Sequence, residues 1–438
     1  MAHPAGKIRK LKSWLTAPGY RVSRYAAAAV VAAACGTVIV MSGRPGQAVS
    51  AVSAVSVPGV NGRNAASEPE ALLFRTLHEI NNKRLEATVT EIDKLIAGYP
   101  NFRLAHLVKG DLLLASTRPI TTLGNTNHVP QERLNELREE ARARHARYQY
   151  VLPSDRVPRY LVQLQPKQRY ALVVDTARSS LYVFENRNGD AQYVADYYVS
   201  IGKNGIDKYK QGYKKTPLGV YHVTASLSRS TLVTRYGKTS GIYGDGAFPI
   251  SYPNEWDRRQ GREGYGIWLH GTPSDTYSRP PRSSDGCVAL TNQDLEEIRK
   301  NVQIGLTPVI IASGIDWVPP GATRALRDEL AHRIESWRRD WESLDTENYL
   351  GHYAAKFSSG KLDLAGWSKE KRRVNAGKTW IKLKLDRISI FLYPGRDDLA
   401  VVTFSQDYAS SNLANRILKR QYWIRDGGAW RIIHESAA

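Results

Sequence analysis

Cysteine is almost absent from this chain: two residues in 438, Cys35 and Cys287. Cys35 falls inside an N-terminal apolar stretch, so Cys287 is the one thiol expected in the mature folded part, with no partner for a disulfide. Metal-binding patterns are missing too. The 10 histidines show neither H-E-x-x-H nor paired-cysteine spacing, so no metal is expected, nor any other cofactor. Complete phosphate-binding loops are lacking as well. Gly237-Lys238-Thr239 and Gly377-Lys378-Thr379 end like one, but each lacks the glycine five residues earlier and the apolar strand before it, which argues against nucleotide binding. Negative charge is short, 42 Asp and Glu against 62 Lys and Arg, leaving +20 and a pI near 9.8. That excess favours anionic membrane surfaces, acidic wall polymers or nucleic acid as partners. A composition of 42% hydrophobic and 24% charged residues excludes wholesale disorder.

No apolar run comfortably reaches the roughly 20 residues that a bilayer crossing wants. The best is Tyr25 to Met41, about 17 residues, behind Lys7, Arg9, Lys10, Lys12, Arg21 and Arg24. A positive flank followed by a short apolar core is the layout of a secretory signal or signal anchor. Residues 1–42 are therefore expected to export the chain to the periplasm, either cleaved near Ala48 to Ala54 or kept as an inner-membrane anchor. Export makes nucleic acid an unexpected partner. It also leaves an unpaired Cys287 in an oxidising compartment, where a thiol is kept for reactivity more readily than for packing.

The length allows two to four domains, and the pattern changes mark them. Residues 43–67, rich in Gly, Ser, Ala, Pro and Val, read as a linker. Residues 68–150 are helical: Leu73, Leu77, Ile80, Leu85, Val89, Ile92 and Ile96 recur at three- and four-residue spacing up to a break at Tyr99-Pro100-Asn101. Phe102 to Ala115 forms a second helix, and Gln131 to Tyr148 a third, densely charged one. The first pair looks like a single tetratricopeptide-like hairpin, which cannot bury its own face; a partner, such as a second copy in a homodimer, or the next domain must cover it.

Between 168 and 315 the period switches to two. Strands are expected at Tyr170 to Asp175, Ser179 to Glu185, Tyr193 to Ile201, Gly219 to Val223, Gly266 to Leu269, Val288 to Leu290 and Pro308 to Ala312, with a helix over Asn292 to Val302. Residues 224 to 265 read as a long functional loop. Residues 323–438 open with a helix carrying Leu326, Leu330, Ile334, Trp337, Trp341 and Leu344. Strands then follow at Trp380 to Tyr393 and Leu399 to Tyr408, with a hairpin turning at Asp426-Gly427-Gly428. The fold class is thus α+β and multidomain, with a small α+β cone at its C-terminus. Trp337, Trp341, Tyr349, Tyr353 and Trp380 sit at spacings that suit a core better than a ligand pocket.

The chemistry centres on Ser283-Ser284-Asp285-Gly286-Cys287-Val288 and the upstream His270-Gly271-Thr272. A thiol is a poor nucleophile at neutral pH until a base or a positive field lowers its pKa, and His270 can supply this by bonding the sulfur. The imidazole needs an acceptor on its other nitrogen, for which the Gly271 carbonyl serves. Gly286 leaves room for a substrate carbonyl, and backbone N–H groups near Cys287 can form an oxyanion hole. The implied reaction is acyl transfer through a thioester.

These two motifs, with Lys215-Thr216-Pro217-Leu218-Gly219-Val220-Tyr221 upstream, resemble the L,D-transpeptidase (YkuD-type) catalytic domain over residues 168 to 315. The resemblance implies a β-sandwich-like fold and a periplasmic enzyme acting on peptidoglycan stem peptides. Cys287 would be the nucleophile, His270 the base and Gly271 the orienting carbonyl, with Ser284 and Gly286 shaping the thiol surroundings. Asp285 stands where the family usually has His, and Ala289 where it usually has Arg, which puts strict transpeptidation in question. Tyr252-Pro253-Asn254 resembles a branch of which some members trim or hydrolyse stem peptides and which can carry an N-terminal helical dimerisation segment and an NTF2-like cone, similar to residues 323–438 here. Asp285, Arg258, Arg262, Tyr252 and Asn254 are the substrate-binding candidates. Within the class, cross-linking or lipoprotein attachment competes with L,D-carboxypeptidase or cleaving activity; outside it stands a catalytically silent wall-binding scaffold.

Overall fold

The computed structural model describes residues 68–438 apart from 82–84, 119, 121, 127, 151, 153 and 154. The expected export segment, Cys35 and the linker lie outside the described residues. Four helices come first: α1 (Glu68–Asn81), α2 (Leu85–Gly98), α3 (Arg103–Ala115) and α4 (Gln131–Gln149). The single helical segment expected from Glu68 to Gly98 is thus two helices lying against each other. Leu72, Leu73, Ile92, Leu95, Phe102, Leu104, Val108 and Leu112 make their common core.

The charged helix α4 forms where it was expected, and several of its charges lie in the interior. Glu140, Arg144 and Arg147 are buried, because Glu70 of α1 and Asp196 of the strand Asp190–Tyr198 meet them. Arg144 bonds Glu70 at 2.6 Å and Glu140 at 3.0 Å; Arg147 bonds Glu70 and Asp196, each at 2.5 Å. Buried charges persist only when paired and hydrogen-bonded. The helical segment is therefore fastened to the next domain by ion pairs as well as by apolar contact.

The middle part of the chain, residues 170–312, is built on two packed sheets. One has five strands in the spatial order Asp190–Tyr198, Ser180–Arg187, Tyr170–Asp175, Pro308–Ala312, Gly219–His222. The two central strands run parallel, with Val173 opposite Ile310. The other has four short strands in the order Val288–Ala289, Trp268–His270, Gly246–Pro249, Leu227–Ser228. Leu172, Val174, Leu181, Val183, Val309 and Ile311 face Phe248, Leu269, Val288 and Leu290 across the gap. The alternate residues Ala171, Val173, Tyr182, Phe184, Ile310 and Ala312 are buried on the opposite face, against the C-terminal domain. Both faces of the sheet are covered, so Tyr170–Asp175 and Pro308–Ala312 are buried at consecutive positions, where a period of two was expected.

Residues 224 to 265, expected as a loop, hold the helix Arg229–Tyr236, a 3₁₀ turn Gly237–Tyr243, the strand Gly246–Pro249 and the short helix Glu255–Arg259. The C-terminal sheet has seven strands, and its last member, Leu161–Gln163, comes from the segment before the catalytic sheet and pairs with Ile390 and Phe391. The helix Arg324–Glu342 lays Leu330, Ile334, Trp337 and Trp341 into this sheet along one stripe. Tyr349 and Tyr353 are buried with them, whereas Trp380 is 44% exposed. Among the described residues no helix is long and apolar enough to cross a membrane.

Candidate active site

His270 ends the strand Trp268–His270, and Cys287 immediately precedes the parallel neighbour Val288–Ala289. Leu269 pairs with Val288 and His270 with Ala289, and the Leu290 N–H donates to His270 O at 2.8 Å. Parallel pairing thus fixes two residues seventeen apart in sequence at the same edge of one sheet. Leu269 points into the sandwich core, so by alternation Trp268 and His270 share the other face. Tyr243 caps that face, edge-on to His270 at 5.3 Å.

His270 is 3% exposed, and its Nδ1 donates to the Gly271 carbonyl at 2.7 Å. That bond assigns the proton to Nδ1 and leaves Nε2 as a lone-pair acceptor. Burial pushes the imidazole down to about 4, the Gly271 bond opposing and the Arg279 charge adding to the shift. Burial also pushes the Cys287 thiol up to about 11, against the pull of the Trp268 N–H and the charges of Lys208 and Arg279, while Asp285 adds to the rise. In the resting site the thiol donates to Gly266 O at 3.3 Å. Both groups are therefore neutral at rest. The thiol is not activated by a standing bond to His270, because the cost of charging a buried sulfur outweighs the neighbouring cations.

The loop before Cys287 is held from inside. Ser284 Oγ donates to Cys287 O at 2.6 Å and accepts the Gly286 N–H at 3.1 Å, so this N–H is engaged within the loop. Thr216 Oγ1 donates to Gly286 O at 3.0 Å and accepts the Gly202 N–H at 2.8 Å. Gly286 has φ +122, and a Cβ there would stand 2.7 Å from Lys215 O. Only glycine fits both demands.

The remaining candidates are scattered. Asp285 is exposed and pairs with Lys214 at 3.5 Å. Arg262 pairs with Asp207 at 2.7 Å and donates to Lys208 O at 3.2 Å. Tyr252 donates to Glu263 O at 2.9 Å, and Asn254 caps the helix Glu255–Arg259 while donating to Val220 O at 3.0 Å. Arg258 is exposed on that helix. The structure thus gathers His270, Gly271, Ser284, Gly286 and Cys287, keeps Asp285 at the rim, and gives Arg262, Tyr252 and Asn254 internal bonds.

Three residues overlooked in the sequence stand close to the site. Asn292 brackets the turn after His270, accepting the N–H groups of Thr272 and Asp245 at 3.1 Å each. Lys208 and Arg279 carry charges that reach the sulfur. Lys208 and Arg279 lie in no periodic segment or motif, and Asn292 was marked only as the start of an expected helix.

Comparison with known proteins agrees with this geometry. Residues 169–311 match the L,D-transpeptidase catalytic domain, YkuD, and residues 329–436 match the Cds6 C-terminal NTF2-like domain. Bd1075 of Bdellovibrio bacteriovorus is similar at 29% identity over 65% of this chain and 98% of its own, with a TM-score of 0.55. The helical cell shape determining protein Pgp2 of Campylobacter jejuni is similar at 26% identity over 63% of this chain and 95% of its own, with a TM-score of 0.53. No curated protein matches. With the His270 and Cys287 strands inside the first matched region and the seven-stranded sheet largely inside the second, the chain joins an L,D-transpeptidase catalytic domain of the YkuD family to a Cds6-type NTF2-like domain.

Proposed function

We propose that this protein is an exported cysteine acyl transferase acting on peptidoglycan stem peptides through a thioester on Cys287. The observation that carries the reading is the His270 Nδ1 bond to Gly271 O at 2.7 Å, which turns a basic Nε2 free on the strand beside Cys287. The thiol proton passes to Nε2 as sulfur attacks the carbonyl of the diamino acid at the third stem position. The C–N bond to the terminal D-alanine then breaks, and its nitrogen takes the proton from Nε2. An amine or water next attacks the thioester, giving its proton to Nε2, and the C–S bond breaks to restore the thiol. An amine yields a cross-link between third positions, or attachment of a protein; water yields a tripeptide. Both outcomes use the same residues. Moving the proton only as the C–S bond forms suits a site in which neither group is charged at rest.

Ser284 and Gly286 act by shaping the cysteine loop, and Arg262, Tyr252 and Asn254 by holding the segments around it. Asp285 and Arg258, both exposed, are the ones of that set open to substrate. The basic flank and apolar run of residues 1–42 support export to the periplasm, cleaved or anchored. Likeness to a cell-shape protein supports a part in cell shape.

The test incubates purified protein with disaccharide tetrapeptide and reads products by mass spectrometry, with Cys287→Ala alongside. A tripeptide or a 3–3-linked dimer that disappears in the variant is expected. Equal product from both proteins would refute the nucleophile, and no product from either, a silent scaffold instead, would refute the enzyme.

A further inference from the structure

The loop from Gly271 to Gly286 joins the base to the nucleophile, and one of its side chains lies in the core of another domain. Tyr277 packs into the apolar cluster that Leu73, Ile92, Leu95 and Phe102 make in the helical segment; among the described residues it is the one member of that cluster from outside 68–150. Its ring centroid stands 4.6 Å from that of Phe102 and 5.2 Å from that of Tyr99, at the turn between α2 and α3. Asn101 of the same turn takes the loop backbone at two points: its Nδ2 donates to Ser274 O at 2.8 Å, and its carbonyl accepts the Tyr277 N–H at 3.1 Å. Further along, the Ser278 hydroxyl donates to Glu140 of α4, and Asp275 lies 3.9 Å from the Arg103 guanidinium.

The cysteine end of the loop is held by its own domain. Ser200 Oγ donates to Pro280 O at 2.5 Å, the Ile201 N–H to Pro281 O at 2.9 Å and the Lys203 N–H to Ser284 O at 2.7 Å. Residues 274–278 have helical partners instead, and that grip reaches the base through Thr272, whose hydroxyl donates to Tyr277 O at 3.1 Å. Thr272 directly follows Gly271, the carbonyl that accepts from His270 Nδ1 at 2.7 Å. Asn292 bonds the Thr272 main chain from within the catalytic domain, so Thr272 is tied to that domain by its backbone and to the helices by its side chain. A catalytic group beside a loop is placed only as well as the shell that supports the loop.

We propose that Tyr277 is a positioning residue for His270: seated in the helical core, it holds the turn that presents the Gly271 carbonyl, so the helical segment completes the active site. This rests on the acyl-transfer reading and deepens it. With the ring withdrawn, the acceptor of the Thr272 hydroxyl moves, the Gly271 carbonyl is freer to turn, and the imidazole can carry its proton on either nitrogen. Only the tautomer protonated on Nδ1 leaves Nε2 to take the thiol proton. Undocked helices therefore mean a misdirected base, even where Cys287 and its own loop stay in place.

The experiment measures kcat and KM on disaccharide tetrapeptide for the full-length chain as wild type, Tyr277→Ala, Tyr277→Phe and Asn101→Asp. Nitrogen NMR of the imidazoles accompanies it, with the His270 signals assigned by their loss in His270→Gln. Tyr277→Ala should lower kcat about ten- to a hundredfold, the scale of a misplacement of about 1 Å, with KM little changed and cooperative melting retained. Tyr277→Phe keeps the ring in the helical core and should recover most of that loss. Asn101→Asp, an exposed change that removes the donor to Ser274 O, should give a smaller fall in the same direction. His270 should show one tautomer in wild type, protonated on Nδ1, and a mixture in Tyr277→Ala. An unchanged kcat in Tyr277→Ala would overturn the proposal. So would a loss that follows the melting temperature while the tautomer stays as in wild type, since Tyr277 would then serve only the helical core. Should Tyr277→Ala fail to fold, wild-type kcat and tautomer in Asn101→Asp would overturn it. If wild type makes no product, the acyl-transfer reading fails by itself and the NMR still decides: a mixture in Tyr277→Ala upholds the positioning, and a single unchanged tautomer refutes it.

Discussion

Asn292 grips Thr272 at two points: its Oδ1 accepts the Thr272 N–H at 3.1 Å and its Nδ2 donates to Thr272 O at 2.9 Å. The same Oδ1 stands 2.0 Å from where a Cβ on Gly271 would be. The side chain therefore fixes the turn that presents the Gly271 carbonyl to His270.

Replacing Asn292 by Ala should leave the Thr272 and Asp245 N–H groups without their acceptor, at about 1–3 kcal/mol in stability. The His270 ring loses its fixed partner, so kcat should fall more than KM rises. Thermal melting and steady-state kinetics on tetrapeptide check both, and an unchanged kcat would show that the turn holds itself.

Gly286→Ala should be more damaging than its single methyl suggests. The residue is at φ +122, and the new Cβ would meet the backbone carbonyl of Lys215 at 2.7 Å, which cannot swing aside as a side chain would. Loss of activity in a protein that still melts cooperatively is the expected result.

The resting thiol should be sluggish. With its pKa raised to about 11, Cys287 should react with iodoacetamide at pH 7 more slowly than free cysteine, the rate climbing as pH approaches that value. His270→Gln should change this little, because the thiol donates to Gly266 O at rest. A rate at or above that of free cysteine would mean that the imidazole already holds the proton.

Asp294 links pH to the joint between helical and catalytic parts. Burial first, then the negative charge of Glu70, raises its carboxyl to about 7. A folded pKa above the unfolded value of 3.8 means the native state holds the extra proton between them, so this contribution to stability is lost as pH rises from about 4 to about 7. Thr291, Arg147 and Arg144 face the same group and oppose the shift. Asp294→Asn should flatten that decline in melting temperature, and wild-type and variant curves of the same slope would exclude it.

In the C-terminal domain, Lys419 and Glu435 form a buried pair at 3.0 Å, with Gln421 and Tyr353 also bonding the carboxylate. Lys419→Met alone should cost about 3–5 kcal/mol by leaving a buried carboxylate short of its cation. Adding Glu435→Gln should recover part of that, which denaturant unfolding of single and double variants would read.

Much of this architecture is written locally. The strands Tyr170–Asp175 and Pro308–Ala312 begin and end where their apolar runs do, and Asp426-Gly427-Gly428 turns the last hairpin. The His270 and Cys287 motifs, each with its glycine, were legible because a glycine forced by close backbone approach leaves a mark in the sequence. The segment 224 to 265 was not, since its helices of 8 and 5 residues are too short to show a period and are held by surrounding contacts. Helix α4 concealed the most: nothing in its dense charge showed that Glu70, 74 residues from Arg144, would meet it in the interior.

The sequence by itself marked most of the strands, the long helices and the paired His270 and Cys287 motifs on which the proposed acyl transfer rests, because periodicity and short motifs are properties of neighbours along the chain. Tertiary structure decided which charges are buried, that the thiol rests protonated against Gly266, that the charges of Lys208 and Arg279 act on it, and that Asn292 holds the turn after His270. Those depend on segments brought together from far apart in the chain, and on how much water each loses when they meet.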